Sequence, residues 1–346
     1  MFQDLDSPDV AGAPARREAT SRAGLYILVV LAAMVGAFGW HMRTAGIFAC
    51  PATAYGADRY LGYCQGAAYG DYDHGAVWFG LEPGVREAAA AADVLFVGNS
   101  RLQFGFSAPA LGQWFEGAGK GARYYLLGFS HNETAGFTRP LLEGLQPKAR
   151  AYVISVDKFF FEQPSLPAAS ILHEPGVLTR YLAKRDWQES HRLVCGALPA
   201  LCGNEISFYR QRDTGEWSRA GSNHIVAETV KDDRPDYAGG DPRQMAAVMG
   251  RAREFAAFLD GLGVARECVI LTYVPSPDNN RRLANAIAAA LGQELVSPDG
   301  KGLRTMDGSH LDPESAQAFT TAFLAEAGPR LAQCLNAPGL DGKAGG

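Results

Sequence analysis

The longest break in the mixed apolar and polar pattern of this chain is Ala23 to Trp40, AGLYILVVLAAMVGAFGW, eighteen residues without a charge. Wound as a helix at about 1.5 Å per residue, they reach roughly 27 Å, close to the thickness of a bilayer core. Tyr26 and Trp40 suit the two interfaces. Arg16, Arg17 and Arg22 precede the run, and Arg43 is the only nearby basic residue after it. The positive-inside rule then keeps the N-terminus cytoplasmic and sends the rest of the chain across the membrane. A cleaved signal peptide is the alternative. Trp40-His41-Met42-Arg43 gives it no small-residue cleavage site, and Arg43 and Thr44 interrupt the apolar run before the lipoprotein-like Ile47-Phe48-Ala49-Cys50. A retained anchor over residues 23–42 is the expectation.

Beyond residue 92 the pattern changes to short apolar runs separated by helical periodicity. Strands are expected at 94–97, 123–127, 151–156 and 268–274, with a short fifth at 294–296. Continuous apolar runs of this length suit strands buried on both faces of a parallel sheet. Asp241-Pro242 and Asp312-Pro313 each offer an N-cap followed by a first-turn proline. The first would open a helix to about Asp260, with Met245, Val248, Met249, Ala252, Phe255, Ala256 and Leu259 at helical apolar spacing. The second would open a C-terminal helix with Ala318, Phe319, Ala322 and Phe323 on one side. Further helices fit 108–117, 132–146 and 278–292, with Pro140 bound to kink or shorten the middle one.

Alternating β and α units predict a three-layer α/β/α sandwich with a mostly parallel sheet and right-handed crossovers, preceded by one transmembrane helix. The expected organisation is a polar cytoplasmic tail (1–22), the anchor (23–42), a connector packed on the domain (43–92), the α/β domain (93–335) and a flexible tail (336–346). A polar, aromatic-rich insertion at about 162–240 interrupts the β–α rhythm.

Composition narrows the function. A hydrophobic fraction of 47% over 346 residues can fill a large core. A net charge of -5 and no long basic cluster leave no footprint for nucleic acid. All six cysteines, at 50, 64, 195, 202, 268 and 334, fall on the exported side, where disulfides form. Sequence proximity favours Cys50–Cys64 and Cys195–Cys202, leaving Cys268 with Cys334, although six cysteines permit fifteen pairings. No Cys or His pair has zinc-site spacing, His173, His191 and His224 included, so neither a metal nor a cofactor is expected.

The candidate chemistry lies in two places. Val94-Leu95-Phe96-Val97-Gly98-Asn99-Ser100-Arg101 puts a serine at the end of an apolar strand, with Gly98 permitting a sharp turn. Asp307-Gly308-Ser309-His310 stands just before the final helix. A hydroxyl nucleophile needs a base for its proton, and the base needs a carboxylate to orient it. In open α/β sheets the ligand crevice lies outside the carboxyl ends of the strands. Ser100 and the segments after Leu127 and Val156 would emerge there.

A strand ending in Gly98-x-Ser100 and a late Asp307-x-x-His310 before the last helix resemble the SGNH/GDSL hydrolase superfamily, over about residues 93–334 without the insertion. The N-terminal span is similar to that of its membrane-anchored bacterial cell-envelope members. The resemblance implies a flavodoxin-like fold, with Ser100 as nucleophile, His310 as general base and Asp307 as its orienting partner. The superfamily's second block supplies a backbone N–H to the oxyanion hole; its place here is Gly128 or His131, depending on alignment. Its third block supplies an asparagine side chain. The nearest residue here is Asp157, which can pair with Arg101 or Lys158 or bind a substrate hydroxyl but would repel an oxyanion. Losing one such donor costs about a hundredfold in rate. Asn132 is the candidate substitute, and His131 a candidate second catalytic group.

The function so implied is a serine esterase or O-acyltransferase of the bacterial inner membrane. Its domain would be periplasmic or extracellular and would act on acyl esters of an envelope glycan. Two alternatives stand. One is a catalytically degenerate glycan-binding or assembly protein with an envelope-biosynthesis partner. The other is a lysophospholipase or thioesterase on membrane lipids, with Phe159-Phe160-Phe161 lining an acyl pocket. Trp187, Trp217 and Tyr209 could stack on sugar rings or simply anchor the insertion.

Overall fold

A computed structural model describes residues 22–51, 55–66, 69–221, 228–230, 242–277 and 281–337. The two terminal tails and the insertion after residue 221 lie largely outside them, and His224 and Asp241 wholly so. Arg22–Thr44 is one helix of 23 residues, with mean hydropathy 2.1, long and apolar enough to cross a membrane. Its apolar residues from Leu25 to Trp40 face outward, and no residue of it is buried.

In chain order the strands are β1 (Arg59–Cys64), β2 (Gly70–Asp71), β3 (Val94–Asn99), β4 (Tyr124–Phe129), β5 (Ala151–Ser155), β6 (Ser207–Gln211), β7 (Trp217–Ala220), β8 (Glu228–Thr229), β9 (Val269–Thr272), β10 (Leu295–Val296) and β11 (Arg304–Thr305). Five of them form one sheet in the order β10-β9-β5-β3-β4, every neighbouring pair parallel. The five predicted runs are these five strands, shifted by one or two residues at their ends.

Every residue of β3, β5 and β9 is buried. Their apolar residues do not alternate with polar ones because both faces of the sheet are covered. Helix Pro313–Asn336 packs on Ser100–Gly105 and on Ala108–Glu116. Helix Ala135–Leu145 packs with Val85–Ala90 and Pro242–Gly261. Cys268–Cys334 ties the residue before β9 to the final helix.

The helix expected at 132–146 begins only at Ala135, because Thr134 caps it by accepting from the Gly136 amide at 3.3 Å. Pro140 then sits inside it. In the last helix Phe319 and Phe323 are buried as predicted. Their neighbours in the core are Ala316 and Thr320, whereas Ala318 faces solvent. The buried stripe is therefore turned from the predicted one, with Thr320 tolerated because its hydroxyl bonds the Ala316 carbonyl at 2.7 Å.

The connector and the insertion share a second sheet, which their separate readings did not anticipate. It is antiparallel, in the order β2-β1-β6-β7. Cys50–Cys64 closes the connector onto the start of this sheet, and Cys195–Cys202 closes the end of helix Val177–Ala197. The three pairings are those favoured by proximity. Strand register places Tyr63, Phe208, Arg210, Trp217 and Arg219 on one face of this sheet.

Arg210 locks that face to the parallel sheet. It is fully buried and grips Asp73 with Nε at 2.8 Å and Nη2 at 2.7 Å, while donating to the Leu126 and Gly128 carbonyls of β4. A buried pair this well bonded resists separation, because removing either partner strands the other charge in the core.

Candidate active site

β3 ends where its neighbours on the two sides, β4 and β5, are reached by connections running opposite ways across the sheet. Such a switch point opens a crevice at the carboxyl ends of the strands. Ser100 sits there as the first residue of helix Ser100–Gly105. Asn99 caps this helix, its Oδ1 accepting from the Arg101 amide at 2.9 Å. Gly98 is a packing requirement: a Cβ there would lie 2.9 Å from Ser155 Cβ and 3.1 Å from Leu102 Cβ. The chain turns from strand to helix without room for a side chain.

The second half of the site is a tight turn. Asp307 Oδ1 accepts from the amides of Ser309 at 3.1 Å and His310 at 2.9 Å, and the Met306 amide donates to the His310 carbonyl at 2.8 Å. Gly308 takes φ of 76°, a left-handed conformation that a side chain would strain. This turn leaves Asp307 Oδ2 on His310 Nδ1 at 2.8 Å. His310 Nε2 in turn meets Ser100 Oγ at 2.8 Å. Residues 210 positions apart are thus in hydrogen-bond contact in the order hydroxyl, imidazole, carboxylate. Burial pushes the Asp307 carboxyl up, but the hydrogen bond and charge of His310 and the two amides outweigh it and hold the pKa at about 2. Asp307 is therefore an anion across the ordinary pH range, as an orienting partner must be.

Arg101 braces the two halves. Its Nη1 pairs with Asp157 Oδ2 at 2.8 Å, with both side chains buried, and its Nε lies 3.4 Å from Ser309 Oγ. Asn99 Nδ2 adds a longer contact to Asp157 at 3.4 Å. Phe104, one turn along from Ser100, sets its ring edge-on to His310 with centroids 5.0 Å apart. The Arg101–Asp157 pair is one of the two pairings expected for Asp157; Phe104 gave no signal in the sequence.

Of the readings open for Asp157, the structure shows the ion pair: it is buried and held by Arg101 and Asn99. Gly128 lies inside β4 in register with Gly98, not on the loop beyond. It is glycine because a Cβ would stand 2.7 Å from the Asn99 carbonyl oxygen. His131 and Asn132 do occupy that loop, exposed and at φ of 60° and 54°. His131 Nδ1 contacts Ser130 Oγ at 2.6 Å and its ring meets Tyr63 edge-on.

The remaining candidates serve packing. Phe159 and Phe160 are buried against Phe255, and Phe160 and Phe255 line a cavity of about 350 Å³ with Ile154 and Ala252. Tyr209 is buried and donates its hydroxyl to the Pro51 carbonyl. Trp187 packs on Tyr69 and His191. His191 is bonded to Tyr55 and the Cys50 carbonyl and lies near Cys195 and Cys202, whose sulfurs are joined to each other and so cannot ligate a metal as thiolates. His173 is exposed at a helix end.

A second histidine cluster was not singled out, although Asp71-x-x-His74 repeats the spacing of Asp307-x-x-His310. His74 is fully buried, with Nδ1 2.9 Å from Asp71 Oδ2 and Nε2 2.8 Å from Glu133 Oε2. Ser130 donates to Asp71 at 2.9 Å and Ser165 to Glu133. Burial opposes the charged imidazole, but the two carboxylates prevail and raise its pKa to about 10.

Comparison with protein-family models, curated proteins and solved structures finds no match to this chain.

Proposed function

We propose that this chain is a membrane-anchored serine esterase or O-acyltransferase of the SGNH/GDSL type, acting outside the cytoplasm on acyl esters of an envelope glycan. The observation that carries the reading is the continuous chain Ser100 Oγ–His310 Nε2–His310 Nδ1–Asp307 Oδ2, with both contacts at 2.8 Å, at the carboxyl end of β3. The strand order supports it, since β4-β3-β5-β9-β10 follows the doubly wound 2-1-3-4-5 scheme of flavodoxin-like sandwiches. The apolar N-terminal helix and three disulfides fit an anchored protein in an oxidising compartment.

In this mechanism His310 Nε2 takes the Ser100 proton as Oγ attacks the ester carbonyl. Asp307 steadies the imidazolium formed. The tetrahedral oxyanion is met by the Ser100 backbone N–H and by an N–H of the strained loop 130–132. Collapse expels the alcohol, protonated by His310, and leaves an acyl-Ser100. Water, or a glycan hydroxyl deprotonated by the same imidazole, then releases the acyl group.

The test is labelling of the full-length protein with a fluorophosphonate. Labelling of wild type but not of Ser100→Ala is expected. No labelling of wild type, under conditions that label a serine esterase, would leave the glycan-binding platform as the better reading. That rival draws its support from Asp157, which stands where a side-chain oxyanion donor is expected.

A further inference from the structure

The Arg22–Thr44 helix runs into the domain without a free linker. The Gly46 and Ile47 amides close its end on the Arg43 and Met42 carbonyls. Phe48 and Ala49 then pair with the chain leaving the Cys195–Cys202 loop, their carbonyls accepting from the Gly203 amide at 2.7 Å and the Glu205 amide at 3.0 Å. Gly203 is glycine because a side chain there would run into the Ala49 carbonyl. Phe48 is buried against Trp187 and His191, and Cys50 is tied to Cys64. A helix held by this many contacts fixes the pose of the domain that follows it.

The same loop reaches back along the helix. Arg43 Nη1 donates to the Ala200 carbonyl at 3.1 Å, and a Cβ on Gly39 would stand 3.2 Å from Leu201 Cδ2. Gly39 belongs to the uncharged run 23–40, next to the interfacial Trp40. It lies about 6 Å along the helix axis from Arg43, at about 1.5 Å per residue. The short turn Pro199–Leu201 therefore stands level with the end of the apolar run, at the depth of an aromatic belt.

Its composition fits that depth. Residues 193–203, LVCGALPALCG, carry no charged or hydroxyl-bearing side chain. Leu193 is 64% and Leu198 57% exposed, and Gly196, Ala197, Pro199 and Ala200 are exposed beside them. Leu193 and Ala197 lie on the face of helix Val177–Ala197 turned away from buried His191 and Cys195. A single exposed leucine is ordinary, whereas a contiguous apolar surface marks a contact. Here the surface is continuous with the outward-facing apolar side of the N-terminal helix.

We propose that the disulfide-closed loop 193–202 is a second membrane contact, which enters the leaflet facing the domain and seats the domain on its acyl chains. This rests on the membrane-anchored reading above and adds to it a fixed seat for the domain. Closure by Cys195–Cys202 orders the loop before it meets lipid, so its immersion costs little conformational entropy.

The test uses the full-length protein, reconstituted at a low protein-to-lipid ratio in phosphatidylcholine vesicles whose upper acyl chains carry bromine, a short-range quencher of tryptophan. The emission added by Leu198→Trp or Leu193→Trp, variant minus wild type, is compared with that added by Leu166→Trp, whose site is 86% exposed on helix Leu166–His173. Two loop positions guard against one that disturbs folding. The loop variants are expected to lose about half or more of the added emission to bromine, being set about 5–10 Å into the boundary of headgroups and acyl chains. Leu166→Trp should stay open to acrylamide in water. Loop variants quenched by acrylamide and not by bromolipid overturn the proposal. Shielding from both quenchers also overturns it, because the cover is then a second copy of this chain. The anchor is read separately. Alkaline carbonate that strips wild-type protein from the vesicles removes the anchored reading and the loop contact with it. Protein that resists stripping while its loop variants stay open to acrylamide removes the loop contact alone.

Discussion

Two clusters in this molecule combine serine, histidine and carboxylate, and only one has the arrangement of a catalyst. At the end of β3, His310 gives one ring nitrogen to Asp307 and the other to Ser100 Oγ. Beneath the small sheet, His74 has a carboxylate on each nitrogen, and the nearby serines Ser130 and Ser165 bond to those carboxylates. The first imidazole keeps a site that can take a proton from a hydroxyl. The second is held as a cation with no acceptor left, in a place with no access to solvent. Residue types do not make a triad; asymmetry of partners around the imidazole does.

The sharpest way to break this comparison is to remove the reactive hydroxyl or its base. Ser100→Ala and His310→Ala should each lower ester turnover by about 10⁶-fold, and Asp307→Asn by about 10⁴-fold, measured as kcat on p-nitrophenyl acetate. Turnover by Ser100→Ala equal to wild type would end the assignment.

The corresponding change in the other cluster should act on stability. His74→Gln leaves Asp71 and Glu133 buried without their cation and should cost about 3–5 kcal/mol in a urea titration, with labelling of the folded fraction intact. Loss of labelling in folded His74→Gln protein would place His74 in the active site after all.

The pH dependence differs in sign between the two. His74 has its pKa raised from 6.5 to about 10, so its contribution is full below 6.5 and is lost as pH rises through 10. A slope of up to about 1.4 kcal/mol per pH unit is expected over that window and should vanish in His74→Gln. Asp307 is lowered from 3.8 to about 2, so its contribution is present above 3.8 and fades only as pH falls through 2. Being partly exposed to solvent, it should contribute far less. The smallest effect is expected for Ser165→Ala, which loses a helix cap and a donor to Glu133 and should cost about 1–2 kcal/mol with turnover unchanged.

Much of the fold was legible because its signals are local. The β3, β5 and β9 runs read as buried strands without knowledge of their neighbours, and Asp312-Pro313 marks its helix start by chemistry within four residues. The Ser100 and Asp307–His310 segments were legible for the same reason: each is a short motif at the edge of a regular element. The sheet made by connector and insertion was not. β1 and β6 are separated by more than a hundred residues, and neither shows its pairing in its own sequence. Arg210 was missed because a charged residue reads as surface until its partner is known, and Asp73 lies 137 positions away. His74 has Asp71 three residues off, but its burial depends on Glu133, 59 positions away.

By itself, then, the sequence determined the apolar N-terminal helix, the parallel strands, the disulfide preference and the candidate set Ser100, Asp307 and His310. Each follows from periodicity or from short-range chemistry. Only the tertiary structure decided that His310 reaches Ser100, that Asp157 is occupied by Arg101 and that Gly128 is a spacer between strands. Hydrogen bonds and charge pairs depend on distances of a few ångströms, and those are set by how far-apart segments pack.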